Sequence, residues 1–153
     1  MELVLWRHAE AEDGIDDLAR ALTPKGQRQA QKMARWLKEQ LPDTVRIIAS
    51  PAVRTRETAD ALAMPYEIDQ QIAPDASAEQ LLAASGWPEG HGLVILVGHN
   101  PAISVLASRL AGAQASAVVL RRGAAWWYVF DTEGQERRVT LKTVMTPSLL
   151  TSG

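Results

Sequence analysis

Leu93-Val94-Ile95-Leu96-Val97-Gly98-His99-Asn100-Pro101 is the most apolar run of the chain, and it ends on an imidazole. An unbroken aliphatic run between a glycine-rich turn at 86–92 and the breaker Asn100-Pro101 reads as a buried, central strand. Two other segments share its grammar. Leu3-Val4-Leu5-Trp6 runs into Arg7-His8, and Val45-Arg46-Ile47-Ile48-Ala49 runs into Ser50-Pro51, with Arg54 and Arg56 just inside a helical stretch. Short apolar runs alternating with helical segments specify a mainly parallel sheet in an α/β domain. In open parallel sheets, ligands bind beyond the carboxyl ends of the strands. Arg7, His8, Arg54 and His99 are therefore predicted to converge on one crevice. Two arginines and two histidines around one point suit a tetrahedral anion with a nucleophile beside it.

The segments between these strands carry helix punctuation. Thr23-Pro24 supplies a hydroxyl N-cap and a first-turn proline for a helix to about Gln40, with Ala30, Met33, Ala34, Leu37 and Leu41 as its apolar stripe. Ser50-Pro51 opens a second helix to about Ala63, and Tyr66 to Ile68 reads as a short edge strand. Ser77 with Gln80 forms a capping-box pattern for a helix to about Ser85. Asn100 is expected to cap a helix from Pro101 to Ala111. Ala124 to Phe130 and Arg137 to Val144 flank the turn residues Asp131-Thr132-Glu133-Gly134, a hairpin pattern in which Trp126, Trp127 and Tyr128 are packing residues. No repeat, linker or change of composition divides the chain, so residues 1–153 are expected to form one domain, with a frayed polar tail from about 147.

Composition narrows the function. With 153 residues and 46% hydrophobic content, the chain has enough apolar material for a core. A net charge of -2 argues against a basic nucleic-acid surface, so anion affinity must come from a local cluster. The absence of cysteine excludes disulfides and thiolate metal sites. No signal-type segment is recognisable and no apolar run approaches the ~18 residues of a membrane span. The expected setting is cytoplasmic, with neither membrane nor nucleic acid as partner.

The chemistry follows from the residue types. Arginine forks give phosphoryl oxygens paired, charge-assisted hydrogen bonds, and helix N-termini after Pro51 and Pro101 add N–H donors. A neutral histidine can attack phosphorus to give a phosphohistidine that water then hydrolyses. Neighbouring cations favour the neutral form of His8, and His99 is placed to stabilise charge on the transferred group. His91, between glycines, reads as solvated, as does the acidic loop of Glu10, Glu12, Asp13, Asp16 and Asp17. Two histidines beside two arginines lack the carboxylates of a phosphatase metal centre, and there is no glycine-rich nucleotide loop.

These residues resemble the histidine phosphatase, or phosphoglycerate-mutase-like, superfamily. Arg7-His8-Ala9 matches its Arg-His-Gly motif with alanine in the third place. Ser50, Pro51, Arg54 and Thr58 match Ser-Pro-x-x-Arg-x-x-x-Thr, Gly98-His99 matches a late Gly-His, and Leu22-Thr23-Pro24-Lys25-Gly26 resembles Leu-Thr-x-x-Gly. The short length and motif style look most like the SixA-type phosphohistidine phosphatases. The resemblance implies a three-layer α/β/α fold and His8 as nucleophile. It also implies Arg7 and Arg54 as holders of the phosphoryl oxygens, His99 as completing the pocket, and no metal or cofactor.

One departure bears on substrate. Larger members supply a general acid from the loop after the second helix, where this chain has Gln70-Gln71-Ile72-Ala73-Pro74, so that Gln71 falls where an acid is expected. Asp69, Asp75 and Glu10 are the alternative carboxylates. An alkyl phosphate expels an alkoxide whose conjugate acid has a pKa on the order of 15, whereas phosphohistidine expels an imidazole of pKa about 6.5. At ~1.36 kcal/mol per unit, the gap in leaving-group basicity is on the order of 10 kcal/mol, and loose phosphoryl transition states feel part of it. The sequence thus favours phosphohistidine in a protein as substrate. The alternatives are a small phosphate ester, such as a sugar phosphate or nucleoside-type phosphate, and a phosphate-binding module without turnover.

Overall fold

Alternation along the first strand builds the two faces of the molecule. In β1 (Glu2–Arg7), Leu3 and Leu5 enter one apolar cluster, while Val4 and Trp6 enter another on the opposite face. A strand buried on both sides must be covered by helices on both sides. The computed structural model describes residues 1–114 and 117–151. It provides α1 (Pro24–Gln40) and α2 (Val53–Asp60) against Val4 and Trp6, and α3 (Ala78–Ser85) and α4 (Ala102–Leu110) against Leu3 and Leu5.

The remaining strands are β2 (Arg46–Ala49), β3 (Glu67–Ile68), β4 (Leu93–Gly98), β5 (Ala125–Glu133) and β6 (Glu136–Met145). They form one six-stranded sheet in the order β3-β2-β4-β1-β5-β6. β3, β2, β4 and β1 pair in parallel; β5 and β6 are antiparallel. The result is the expected three-layer α/β/α arrangement around a mainly parallel sheet, with β4 and β1 at its centre. Trp127 and Tyr128 are buried, as packing residues should be. Tyr128 Oη donates to the Ala107 carbonyl at 2.7 Å, and Trp6 Nε1 to that of Gly123 at 2.9 Å.

Local signals fixed the helix starts where their partners are local. Thr23 Oγ1 accepts the Gly26 N–H at 2.9 Å, and Ser77 and Gln80 form the full reciprocal capping box. The cap assigned to Asn100 is not made. Its side chain is taken up elsewhere, accepting from Ser104 Oγ at 2.5 Å and donating to the Leu120 carbonyl at 3.2 Å. The second helix is shorter than expected and begins only after the Ser50-Pro51-Ala52 turn. The segment after 147, expected to fray on composition, makes a 3-10 turn at Pro147–Leu149 with Pro147 buried; residues 152 and 153 lie outside the described residues.

Gly26 explains the glycine of the Leu-Thr-x-x-Gly segment. A Cβ there would stand 1.9 Å from the carbonyl oxygen of Glu10, so the first turn of α1 lies directly on the backbone that follows His8. Gly26→Ala is expected to destabilise the fold by about 1–3 kcal/mol, as for other overpacked sites, despite the helix preference for alanine. For a chain of this size that is a fall in Tm of roughly 2–4 °C per kcal/mol, measurable by thermal or urea unfolding.

Candidate active site

The site is a consequence of register. Arg7 lies opposite Gly98, and Ala49 opposite Val97, so β1 and β4 end level and β2 ends one residue short of them. The next residues, His8, His99 and Ser50, therefore leave the sheet side by side. Pairing runs one step beyond the strands: the His8 N–H donates to the Gly98 carbonyl at 3.1 Å and the Ser50 N–H to that of Val97 at 3.2 Å. The imidazoles of His8 and His99 come to 5.2 Å between centroids, tilted by 56°. Arg54 reaches them from the first turn of α2. A pocket of about 220 Å³ lies between, lined by Arg7, His8, Arg54 and His99 together.

His8 is only 8% exposed. Its Nδ1 is 2.7 Å from the Ala9 carbonyl oxygen. A carbonyl only accepts, so Nδ1 carries the hydrogen and Nε2 of the neutral ring keeps its lone pair. Burial above all, and then the Arg54, Arg7 and Arg20 cations, lower the His8 pKa to about 4, against the opposing effect of the Ala9 hydrogen bond. The ring is neutral at pH 7. His99, 4% exposed, has its Nε2 2.7 Å from Ser50 Oγ, which accepts the Ala52 N–H at 3.2 Å; in the tautomer in which Ser50 gives its own hydrogen to Nε2, Nδ1 carries the ring hydrogen and is a donor. Burial first, then His8 and Arg54, lower its pKa to about 3.

The arginines are held by one edge and left open at another. Arg7 Nη1 donates to the Leu120 carbonyl at 2.9 Å. Arg54 Nη1 donates to the Asp17 carbonyl at 2.7 Å, and its Nη2 reaches Asp17 Oδ2 at 3.1 Å. Arg7 Nε, Arg54 Nε and His99 Nδ1 are buried without a hydrogen-bond partner in the protein. Buried donors left unsatisfied cost about 1–3 kcal/mol each, and such groups are uncommon in folded proteins. Three such atoms belong to residues that line one small pocket.

The loop over residues 9–22 completes the wall. It folds back on itself through the Ala11–Leu22 bridge and the Glu12 N–H to Ala21 carbonyl bond at 2.8 Å. This brings Arg20 and Asp13 to the pocket. Arg20 Nη1 bonds Asp17 Oδ1 at 2.9 Å, so Asp17 bridges Arg20 and Arg54; the Arg20 hydrogen bond is the main reason its carboxyl pKa is lowered. Thr58 ties the loop to α2: its Oγ1 accepts the Ala9 N–H at 3.1 Å and donates to the Arg54 carbonyl at 2.7 Å. The threonine of Ser-Pro-x-x-Arg-x-x-x-Thr thus couples the residue after His8 to the arginine opposite it.

All four of the sequence-predicted residues meet at this pocket. Arg56 does not line it, and His91 is exposed, as expected for a solvated residue. The acid candidates need correction. Gln71 is exposed in a 3-10 turn whose N-cap, Asp69, spends its carboxylate on the Gln71 N–H at 2.9 Å. Neither they nor Asp75 line the pocket; the loop contributes Pro74 instead. Glu10 accepts from Thr23 Oγ1 at 2.8 Å and lies on the neighbouring groove. The carboxylate that does line the pocket is Asp13, in the loop expected to be solvated surface. Arg20, Arg122 and Asn100 also line it and were not singled out for the site. Arg20 stands close before the Thr23 cap, the one local hint of its position.

Fold and pocket together give an α/β domain in which two histidines and two arginines meet at the carboxyl ends of parallel strands. The family model of the histidine phosphatase superfamily (branch 1) matches residues 3–77. An uncharacterized protein of Picosynechococcus is 33% identical over 144 residues, covering 82% of this chain and 87% of its own length. Phosphohistidine phosphatase SixA of Escherichia coli is 29% identical over 119 residues, 72% of this chain and 74% of that protein. A solved structure of the protein histidine phosphatase SixA complexed with tungstate superposes with a TM-score of 0.76 at 25% identity, over 97% of this chain and 99% of that one. The chain belongs to the histidine phosphatase superfamily, and these comparisons show its similarity to SixA proteins.

The electrostatics carry an expected outcome. Histidine NMR titration of the ligand-free protein should place His8 and His99 well below the ordinary 6.5, near about 4 and about 3. Binding of an oxyanion such as vanadate should raise both. Because the folded-state values are depressed, the unfolded chain takes up protons first as pH falls. The folded state should therefore lose stability from about 6.5 downward through about 4, which urea unfolding across that range will measure.

Proposed function

We propose that this protein hydrolyses phosphohistidine carried on another protein, through a phosphorylated His8. The observation that carries the reading is the ring of three unsatisfied buried donors, Arg7 Nε, Arg54 Nε and His99 Nδ1, beside a neutral histidine with Nε2 free. Tungstate in the SixA structure is a tetrahedral oxyanion of the kind such a ring would accept. In the first step, the Nε2 lone pair forms a bond to phosphorus while the bond to the leaving nitrogen breaks. Its electron pair returns to the substrate imidazole. In the second, water attacks phosphorus, the P–Nε2 bond breaks, the pair returns to His8, and the proton of water passes to solvent. Arg7 and Arg54 hold the phosphoryl oxygens throughout, and His99 donates to charge that builds on them.

The imidazole leaving group needs little help. That suits a pocket to which Gln71, Asp69, Asp75 and Glu10 contribute no carboxylate. Asp13 favours a second reading. As the carboxylate among the pocket-lining residues, it is placed to protonate an alkoxide, which would make the protein a small-molecule phosphomonoesterase.

His8→Ala should abolish the acid-labile phosphoenzyme and lower turnover by roughly three orders of magnitude or more, with the circular dichroism spectrum unchanged. Chelators should leave the rate as it is. Catalytic efficiency on a phosphohistidine peptide should exceed that on a sugar phosphate by at least about a hundredfold, following leaving-group basicity. Asp13→Asn decides between the readings. Equal modest effects on both substrates support phosphohistidine; a selective loss on the sugar phosphate supports the phosphomonoesterase.

A further inference from the structure

A second, larger cavity of about 620 Å³ adjoins the phosphoryl pocket, and Arg7 and Arg122 line both. Its far wall is one face of α1, where Lys25, Arg28 and Lys32 recur at helical spacing. Arg121 and Arg122 stand opposite, in the turn before β5, and the Thr146-Pro147-Ser148 segment borders it. Six of the sixteen lysines and arginines of an acidic chain therefore meet in this groove, against one carboxylate among the described residues, Glu10. That carboxylate is shared between Arg122, at 3.5 Å, and Thr23. Lys25, Arg28, Lys32 and Arg121 make no ion pair among the described residues, although exposed acids are plentiful and other arginines of the chain take them up.

We infer that this groove docks an acidic stretch of the substrate protein next to its phosphorylated residue. The inference rests on the phosphohistidine reading for the identity of the substrate, but the groove itself is argued from charge and shape. Concentrated like charge without counter-ions is unfavourable for the free protein and favourable for an anionic partner. From Lys25 to Lys32 the helix rises about 10 Å, the span of about three extended residues. No aromatic side chain lines the groove, so nothing there stacks a nucleotide base. Continuity with the phosphoryl pocket through Arg7 and Arg122 lets one substrate chain occupy both cavities. Binding there is remote from the reacting atoms and acts mainly on KM.

The test has two arms. In the first, hydrolysis of a small aryl phosphate is challenged with an unphosphorylated Asp/Glu-rich dodecapeptide, a neutral dodecapeptide and a single-stranded oligonucleotide of matched charge, at low and at physiological salt. The acidic peptide should inhibit competitively, at least about tenfold more tightly than the neutral one, and weaken as salt rises. The exposed pair Lys25→Glu with Arg28→Glu should remove that difference while leaving aryl phosphate turnover within about twofold, since remote charges contribute little to the step itself. Indifference of the wild type to peptide charge overturns the inference. So does an acidic preference that survives in the variant, or tighter inhibition by the oligonucleotide than by the peptide. In the second arm, phosphohistidine and phosphoserine are compared in one acidic peptide. Equal cleavage of the two would sink the phosphohistidine reading and leave the docking groove standing, because the first arm does not depend on which bond is broken.

Discussion

The parallel pairing of β1 with β4, and of β4 with β2, is the constraint from which the site follows. Side chains alternate along a strand, so a slip of one residue in either pairing would turn every side chain to the other face. Here Leu3 and Leu5 are committed to one core and Val4 and Trp6 to the other, and both cores are closed by helices. A slip would set each apolar residue against the wrong core and disrupt the packing of both at once. The apolar packing therefore fixes where Arg7, His8, Ser50 and His99 emerge, although none of these polar residues contributes to the packing. Precision in the site is inherited from the hydrophobic register of the sheet.

That register concentrates positive charge in one small pocket. Arg7, Arg20, Arg54 and Arg122 line one pocket with a single carboxylate, Asp13, among them. The cluster is tolerated because each guanidinium is anchored away from the pocket centre. Leu120 receives Arg7, Asp17 receives Arg54 and Arg20, and Glu12 receives Arg20 Nε at 2.7 Å. These contacts fix the forks without neutralising the donors that remain. Burial first, and then the same cations, lower the His8 pKa, so the arrangement that gathers positive charge also leaves His8 neutral with a free lone pair. Asp17 stands largely in solvent, where screening weakens its claim on Arg54 relative to a bound phosphoryl group.

Much of this was legible in the chain. The strand ends and their cationic followers could be read because the apolar runs are short, uninterrupted and abruptly terminated. Thr23 and the Ser77–Gln80 pair could be read because a cap bonds to a backbone N–H a few residues away. Asn100 misled because the groups that claim it, Ser104 and Leu120, lie outside that local window. Composition alone does not separate Arg54 from Arg56, but the Ser-Pro-x-x-Arg spacing selects Arg54; residues two apart on a helix point to different faces, and of the two Arg54 meets the pocket. Arg20 and Asp13 were missed for a topological reason. Their loop doubles back on the Ala11–Leu22 bridge, a pairing with no hydrophobic period to announce it. The 69–75 loop brings no carboxylate to the pocket, because it turns Pro74 to the site and spends Asp69 on the Gln71 N–H.

The two cationic cavities divide the work that recognition and chemistry require. A phosphoryl pocket of about 220 Å³ holds little more than the transferring group and offers few contacts by which one phosphorylated protein differs from another. If the leaving group departs with little assistance, the pocket also has little leverage on specificity through the transition state, because every phosphohistidine presents the same bond. Discrimination must then come from surface beyond the reacting atoms. The groove along α1 is the adjoining surface with unpaired charge to supply it, and Arg7 and Arg122 belong to both. An arginine shared between a docking surface and a phosphoryl pocket links the two physically: a partner that draws Arg122 toward its carboxylates changes the repulsion Arg122 exerts on Arg7, the charge that depresses the Arg7 pKa after burial itself. Recognition of the surrounding protein would thereby reach the residue that holds the phosphate, through one side chain and without any movement of the sheet.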